Sequence, residues 1–471
     1  MAIKKNDEFE ITIKRFGANG EGVGEVDGKV VFVPFALPDE KVLVHVIKDE
    51  KSFAIAKLKE IIVPSKDRVC APCKFFGKCG GCDLQHLSYQ KQLEAKQEMV
   101  RGSISKYAGT ETKVEMTIPS EKEFRYRNKF AFPVQEVDGE IKIGMYQKNS
   151  HRLIEIDDCL LQSETAKKIV KIFKEFMHEN NLTAYNEQTK KGLVKHLVAR
   201  ENNGKFILTV VVTENKNINF EPLIQKYKNE FEEFGIVKNV NKLNNNVIFG
   251  NLDIKIYGNE NLDFDEMGIH YSVNNRSFLQ VNSDIKNKIY SRVLDELSGE
   301  KFIIDAYAGA GLLSSILTKT GAEVVGVEIV KEATENAEKL KKINNLHNLT
   351  NKNGDCTVVI PEIAKQIKGD FSVVVDPPRK GLTEEVIDAF LKSKPKKIVY
   401  ISCNPATLAR DLKFFLNDYD ISFVQPYDMF PQTANVETLV CLNKKETKLT
   451  ESLWDGWKTI NAKYWKIFKK I

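Results

Sequence analysis

The chain has 471 residues, 42% apolar and 29% charged, the balance of an ordinary globular protein with material for about two to four domains. Seventy Lys and Arg against 65 Asp and Glu leave a net charge of +5, which permits a nucleic-acid partner without demanding one. No apolar run reaches the ~18 residues that span a bilayer. The opening MAIKKNDEFEITIK lacks the apolar core of a secretory signal, so the expectation is a cytoplasmic protein with no membrane partner.

Residues 8–63 alternate polar and apolar with frequent glycines, as in FEITIKRF and GVGEVDGKVVFVPFALPDEKVLVHVI. Short strands and tight turns predict a small β-barrel of OB type over residues 1–63. Such barrels bind nucleic acid in some proteins and pack against a neighbour in others. Next, four of the eight cysteines (Cys70, Cys73, Cys79 and Cys82) crowd together, while Cys159, Cys356, Cys403 and Cys441 are scattered. In a cytosolic chain this distribution reads as chemistry rather than disulfides. Four thiolates with no carboxylate suit iron–sulfur or zinc. Cys70-x2-Cys73 and Cys79-x2-Cys82 form two knuckles of a possible zinc set, although the five residues between them are few for a zinc ribbon.

A helical stretch, LSYQKQLEAKQEMVRGSISKYA, follows, and residues 124–260 mix strands such as KFILTVVVT with helices such as ETAKKIVKIFKEFMHEN. Residues 64–269 therefore read as an α+β central domain. Within it, Arg125, Arg127 and Lys129 are either phosphate contacts or a solvated strand face. From residue 270 to 446 the strands KFIIDAY, AEVVGVEI, FSVVVD and KKIVYIS alternate with helical segments, which predicts a doubly wound, Rossmann-like parallel sheet. The tail, 447–471, carries all three tryptophans among lysines and suits RNA, a membrane surface, or packing as an amphipathic helix.

Three segments of the sheet carry chemistry. FIIDAYAGAGLLSSILTKTGAEVVGVEI gives strand, glycine turn (Gly309, Gly311), helix, strand and then Glu328, placed to accept ribose hydroxyls. Ser314 occupies the third glycine position of a dinucleotide fingerprint, so the pattern favours a nucleoside without a pyrophosphate, S-adenosylmethionine; the alternative is a structural glycine turn. VVVDPPRKG stiffens the chain after Asp376, a carboxylate fit to read a base edge. KKIVYISCNPATLARDL sets Cys403 at a strand's carboxyl end, where open α/β sheets hold ligands, just before a helix begun by Pro405. The alternative for Cys403 is a small buried apolar residue, the reading given to Cys356 and Cys441.

Together DPPRKG, SCNPATLARDL and DMFPQTANVETL resemble the RNA uracil-5-methyltransferases, in particular the branch that modifies 23S ribosomal RNA. GEGVGEVDGKVVFVPFALPDE is similar to that family's TRAM domain, CKFFGKCGGCDLQH to its iron–sulfur segment, and FRYRNKFAFPV with KIGMYQKNSHRLIEIDDCLLQ to its central domain. The resemblance implies that Cys403 adds to C6 of uracil, because C5 becomes nucleophilic only once a thiolate is bonded beside it. It implies Glu437 as the base that removes the C5 proton. Gln280, Tyr307, Glu328 and Asp376 are implied to line the S-adenosylmethionine site, with Asp376 also facing the uracil edge and Asp355 facing the adenine edge. Phe278 is expected either to stack on the target base or to be buried. Cys73, Cys79, Cys82 and Cys159 are implied to hold a [4Fe–4S] cluster with Cys70 outside it; zinc is the alternative.

The implied partner is a single-stranded or loop uridine of 23S rRNA, drawn out of its stack, with the protein a monomer. The chain departs from the family pattern at Asn435, where a histidine is usual, and at Ala308 and Ala310 in the glycine loop. Asn435 motivates a competing reading, an RNA-binding ribosome-assembly factor with weak or lost activity. A tRNA enzyme of the same chemistry is a third.

Overall fold

The computed structural model describes residues 3–446, so the tryptophan-rich tail lies outside the described residues. The alternation that opens the chain forms a six-stranded sheet in the order Glu8–Thr12, Lys41–Asp49, Phe53–Val63, Lys29–Val33, Gly22–Val26, Arg15–Phe16. Val42, Val44 and Val46 are fully buried while their neighbours face outward, as a period of two requires. Register shifts between Lys41–Asp49 and Phe53–Val63 bend this pair, as bulges do at the corners of small barrels.

A second sheet of seven strands runs Leu252–Tyr257, Phe234–Val240, Lys205–Val212, Val194–Asn202, Lys129–Val137, Glu140–Tyr146, Leu153–Glu155. Helix Glu164–Glu179 covers it, capped by Ser163, whose hydroxyl accepts from Ala166 N at 3.0 Å. Its residues Ile169, Val170, Phe173, Phe176 and Met177 share one helical face, and all five are buried in this core. The hairpin Leu262–Glu266/Ile269–Val273 packs at once on Ile207 and Val237 of this sheet and on Ile316 and Leu340 of the next unit.

The third sheet is built from β1 (Phe302–Ala306), β2 (Glu323–Glu328), β3 (Leu349–Asn353), β4 (Ser372–Val375), β5 (Lys397–Ser402), β6 (Tyr419–Tyr427) and β7 (Glu437–Lys444). Its order is 3-2-1-4-5-7-6, with β1 to β5 parallel and β7 inserted antiparallel between β5 and β6. This is the doubly wound arrangement expected from the sequence, with one reversal at the edge. The helical stretch after the cysteines forms Tyr89–Ser103 and continues as a wider turn to Ala108. Its Val100, Ile104 and Ala108 join the core of this third sheet beside Leu408 and Phe415.

Candidate functional site

At the carboxyl edge of β1 the chain turns through Tyr307, whose φ of 65° is unusual for a residue with a side chain. Gly311 then opens helix Leu312–Leu317 with φ 82°; a Cβ there would stand 2.7 Å from the Cβ of Ala337. Glu328, at the end of β2, accepts from Gly309 N at 2.9 Å and from Val330 N at 2.8 Å, which fixes its carboxylate against the glycine turn. Asp355 caps helix Cys356–Gln366 and receives both Thr357 N (2.8 Å) and Thr357 Oγ1 (2.7 Å), bonds that lower its pKa. It is exposed, as an edge-reading group has to be. Gln280 is half-buried, and its carbonyl accepts from Asn128 Nδ2 at 3.1 Å.

Cys403 and Glu437 lie 34 residues apart in sequence, yet strand register unites them. Ser402, the last residue of β5, pairs with Thr438 near the start of antiparallel β7, so the next position along each strand meets at the sheet edge. Asp376 follows β4, whose Val375 pairs with Tyr400 of β5, and thereby reaches the same place. Helix Pro405–Phe415 starts immediately beyond the thiol, with Asn404 Oδ1 accepting from Ala406 N at 3.1 Å. The Asp-Pro-Pro loop is locked onto that helix by buried Asp411, which accepts from Leu382 N and from Tyr400 OH, both at 2.7 Å.

The electrostatics of this edge are those of a dry acid cluster. Burial pushes the Asp376 carboxyl up to about 7. Burial first, and then the Asp376 charge, push Glu437 well above the carboxylate range, while Arg379 pulls it back. Burial and Glu437 raise the Cys403 thiol, again opposed by the charge of nearby Arg379. Arg379 is held by Asn435, whose Oδ1 accepts from Nη2 at 2.8 Å. Arg379 drew no notice in the sequence, nor did Asp305, which burial holds at about 7 and which accepts from Ser314 Oγ at 2.5 Å. Ser314, the departure from the dinucleotide fingerprint, was the available signal for Asp305.

Phe278 is 80% exposed, so the buried alternative does not hold. Its loop is supported from below: Lys129 Nζ donates to Asn275 O at 2.6 Å and Arg200 Nη2 to Ser277 O at 2.7 Å. Lys129 is thus half-buried and directed at its own fold rather than standing on a solvated face. Arg125 is likewise committed, donating from Nη1 and Nη2 to Asp158 at 2.6 and 2.9 Å. The basic cluster reads as RNA-binding in sequence because lysine and arginine are mostly exposed, but here Arg125 is paired with Asp158, whereas Arg127 and Lys129 have no carboxylate partner among the described residues.

Cys73, Cys79, Cys82 and Cys159 line one cavity of about 240 Å³, and Cys70 is exposed outside it. Phe76, Phe132 and Met145 make much of the wall apolar, and Arg127 and Lys129 lie in it. Gly81 N approaches Cys79 Sγ at 3.3 Å and Gln85 Nε2 approaches Cys82 Sγ at 3.1 Å. Arg127 Nε and Gln162 Oε1 are buried without partners. Among the described residues no set of three or more His, Cys, Asp or Glu is arranged to hold a metal ion.

An open α/β sheet of order 3-2-1-4-5-7-6, a glycine turn facing an acid, and an Asp-Pro-Pro loop beside a thiol define the class of S-adenosylmethionine-dependent methyltransferases with an added TRAM-type barrel. The TRAM domain family matches residues 4–59, and the tRNA (uracil-5-)-methyltransferase family matches residues 88–353 and 364–445. The chain belongs to that uracil-5-methyltransferase family. An RNA methyltransferase of Listeria innocua is 38% identical over 94% of this chain and 99% of its own length. One of Clostridium acetobutylicum is 39% identical over 94% and 98%. The crystal structure of the Pyrococcus abyssi tRNA (uracil-54, C5)-methyltransferase with S-adenosyl-L-homocysteine superposes with a TM-score of 0.76 at 28% identity, covering 92% of this chain and all of that one.

Proposed function

We propose that this protein methylates C5 of a uridine in 23S rRNA through a covalent bond between Cys403 and C6, acting as a cytoplasmic monomer. The observation that carries the reading is the meeting of Cys403, Glu437 and Asp376 at one sheet edge, with Arg379 against the thiol. The Cys403 thiol releases its proton to solvent, Arg379 stabilises the thiolate, and its bond to C6 pushes the C5–C6 π electrons into an enolate that leaves C5 electron-rich. S-adenosylmethionine, cradled by Gln280, Tyr307, Glu328 and Asp355, supplies the methyl group. Glu437 then takes the proton from C5, and the C6–S bond breaks to return the Cys403 thiolate and restore the ring double bond. Asp376 faces the uracil edge, and exposed Phe278 offers a stacking platform for the extruded base.

Cys73, Cys79, Cys82 and Cys159 hold a [4Fe–4S] cluster in this reading. The unpartnered Arg127 Nε and the Lys129 charge beside the cavity would offset the negative charge of four thiolates. Zinc is the alternative occupant of the same four thiols. The cluster's role is structural, because the methyl transfer moves no electrons between centres.

A tRNA substrate is the second reading, favoured by the superposition on the Pyrococcus tRNA enzyme. Methyl-labelled cofactor offered with unmodified 23S rRNA and, separately, unmodified tRNA decides between them. Label in rRNA alone is the expected result, and label in tRNA alone overturns the substrate. RNA bound with no label transferred points instead to an assembly factor. RNA carrying 5-fluorouridine is expected to become covalently trapped on the protein, and Cys403→Ala to abolish trapping.

A further inference from the structure

Glu437 begins β7, and the loop 428–436 decides where that strand starts. The loop is held by the segment that follows the cysteines. Gln432 lies at φ 71°, a left-handed conformation that is unfavourable for a residue with a side chain and persists only under external support. The support is specific. Gln92 Nε2 donates to Gln432 Oε1 at 3.0 Å, and Gln432 N donates back to Gln92 Oε1 at 3.1 Å. Gln432 O accepts from Asp83 N at 3.1 Å and Leu84 N at 3.0 Å, and Ala434 N donates to Asp83 Oδ2 at 3.3 Å. Lys148 in turn donates to the other oxygen of Asp83 at 2.7 Å. Gln92 and Gln432 are 1% and 2% exposed, so these bonds are shielded from water.

Cys403 touches this lattice only through Arg379, which Asn435 of the same loop holds at 2.8 Å. It is seated by β5, by the Asn404 cap and by the helix that follows, none of which bonds to residues 83–92. Both reacting groups share the sheet, but only the loop that leads into Glu437 is hydrogen-bonded to the cysteine-bearing segment. We propose that Gln92 and Asp83 are positioning residues for Glu437, so that this segment governs removal of the C5 proton and release of the product far more than addition of the thiol, which it reaches only through Asn435 and Arg379. The proposal rests on the roles given above to Cys403 and Glu437.

The test follows both half-reactions on uridine-containing RNA with the full-length protein, using Gln92→Leu, Asp83→Asn and Gln432→Gly. Gln432→Gly keeps the φ 71° backbone accessible while deleting the side-chain bond, so it remains informative if Gln92→Leu fails to fold. Single-turnover methyl transfer is expected to stay within about threefold of wild type, whereas release slows roughly 10- to 100-fold and a denaturant-stable RNA–protein adduct accumulates. Equal slowing of transfer and release, with no adduct, reveals a merely structural role and overturns the proposal; so does release at the wild-type rate. Wild-type protein that is never trapped by 5-fluorouridine RNA overturns the underlying chemistry instead, and the proposal falls with it.

Discussion

Two cysteine-lined hollows of this molecule invite comparison. At the carboxyl edge of the third sheet a single thiol, Cys403, faces two carboxyl groups and an arginine. In the cavity beside residues 73–82 four thiols face one another, with Arg127 and Lys129 in the wall and no acidic side chain lining it. Burial raises the Cys403 thiol in the first hollow and those of Cys79 (to about 11), Cys82 and Cys159 in the second. What separates them is the company. A thiol beside a carboxylate base can form and break a carbon bond reversibly, since protons have somewhere to go. Thiols gathered in an apolar wall with cations but no carboxylate have no such proton acceptor beside them.

The largest effect should fall on the first hollow. Glu437→Gln is expected to lower turnover by about 10²- to 10⁴-fold while the covalent RNA adduct accumulates, read by gel shift under denaturing conditions. Loss of turnover with no adduct would break the division of labour between thiol and carboxylate. In the second hollow, Cys82→Ser should leave trapping by 5-fluorouridine RNA intact but deplete iron and sulfide from anaerobically purified protein. It should also lower the melting temperature by roughly 5–10 °C. Zinc without sulfide in the wild-type protein would replace the cluster with a metal ion.

Proton affinity sharpens the contrast further. Asp305 is held at about 7, so between pH ~4 and ~7 the folded protein keeps a proton that the unfolded chain has released. Stability should therefore fall as pH rises through that window, by a few kcal/mol at most, and Asp305→Asn should flatten the fall in denaturant titrations at successive pH values. An unchanged slope would place the retained proton elsewhere. The smallest effect is expected for Asn435→Ala. Freeing Arg379 from its acceptor should cost turnover about threefold and shift the alkaline requirement of trapping upward, because the thiolate loses a fixed cation. A loss as large as that of Glu437→Gln would make Asn435 part of the reacting group itself.

Much of the site was legible because its signals are local. The strand–glycine–helix run through Gly309 and Gly311, the rigid Asp376-Pro377-Pro378 and the strand-to-helix switch at Cys403 each write their geometry into adjacent residues. Arg125 and Lys129 show the limit of that approach. Their charge suggests phosphate, yet Asp158, 33 residues away, and the carbonyl of Asn275, far along the chain, claim them. Arg379 was illegible for the same reason, since its role depends on Asn435 across the cleft.

By itself the sequence determined the strands and helices, the class of sheet, and which residues carry sulfur or carboxylate, because side-chain period and backbone preference act over a few residues. Tertiary structure alone decided which groups meet. The antiparallel insertion of β7 sets Glu437 beside Cys403, and a fold spanning residues 73–159 closes four thiols around one cavity. Register and burial are properties of paired and packed elements, and no single segment contains its partner.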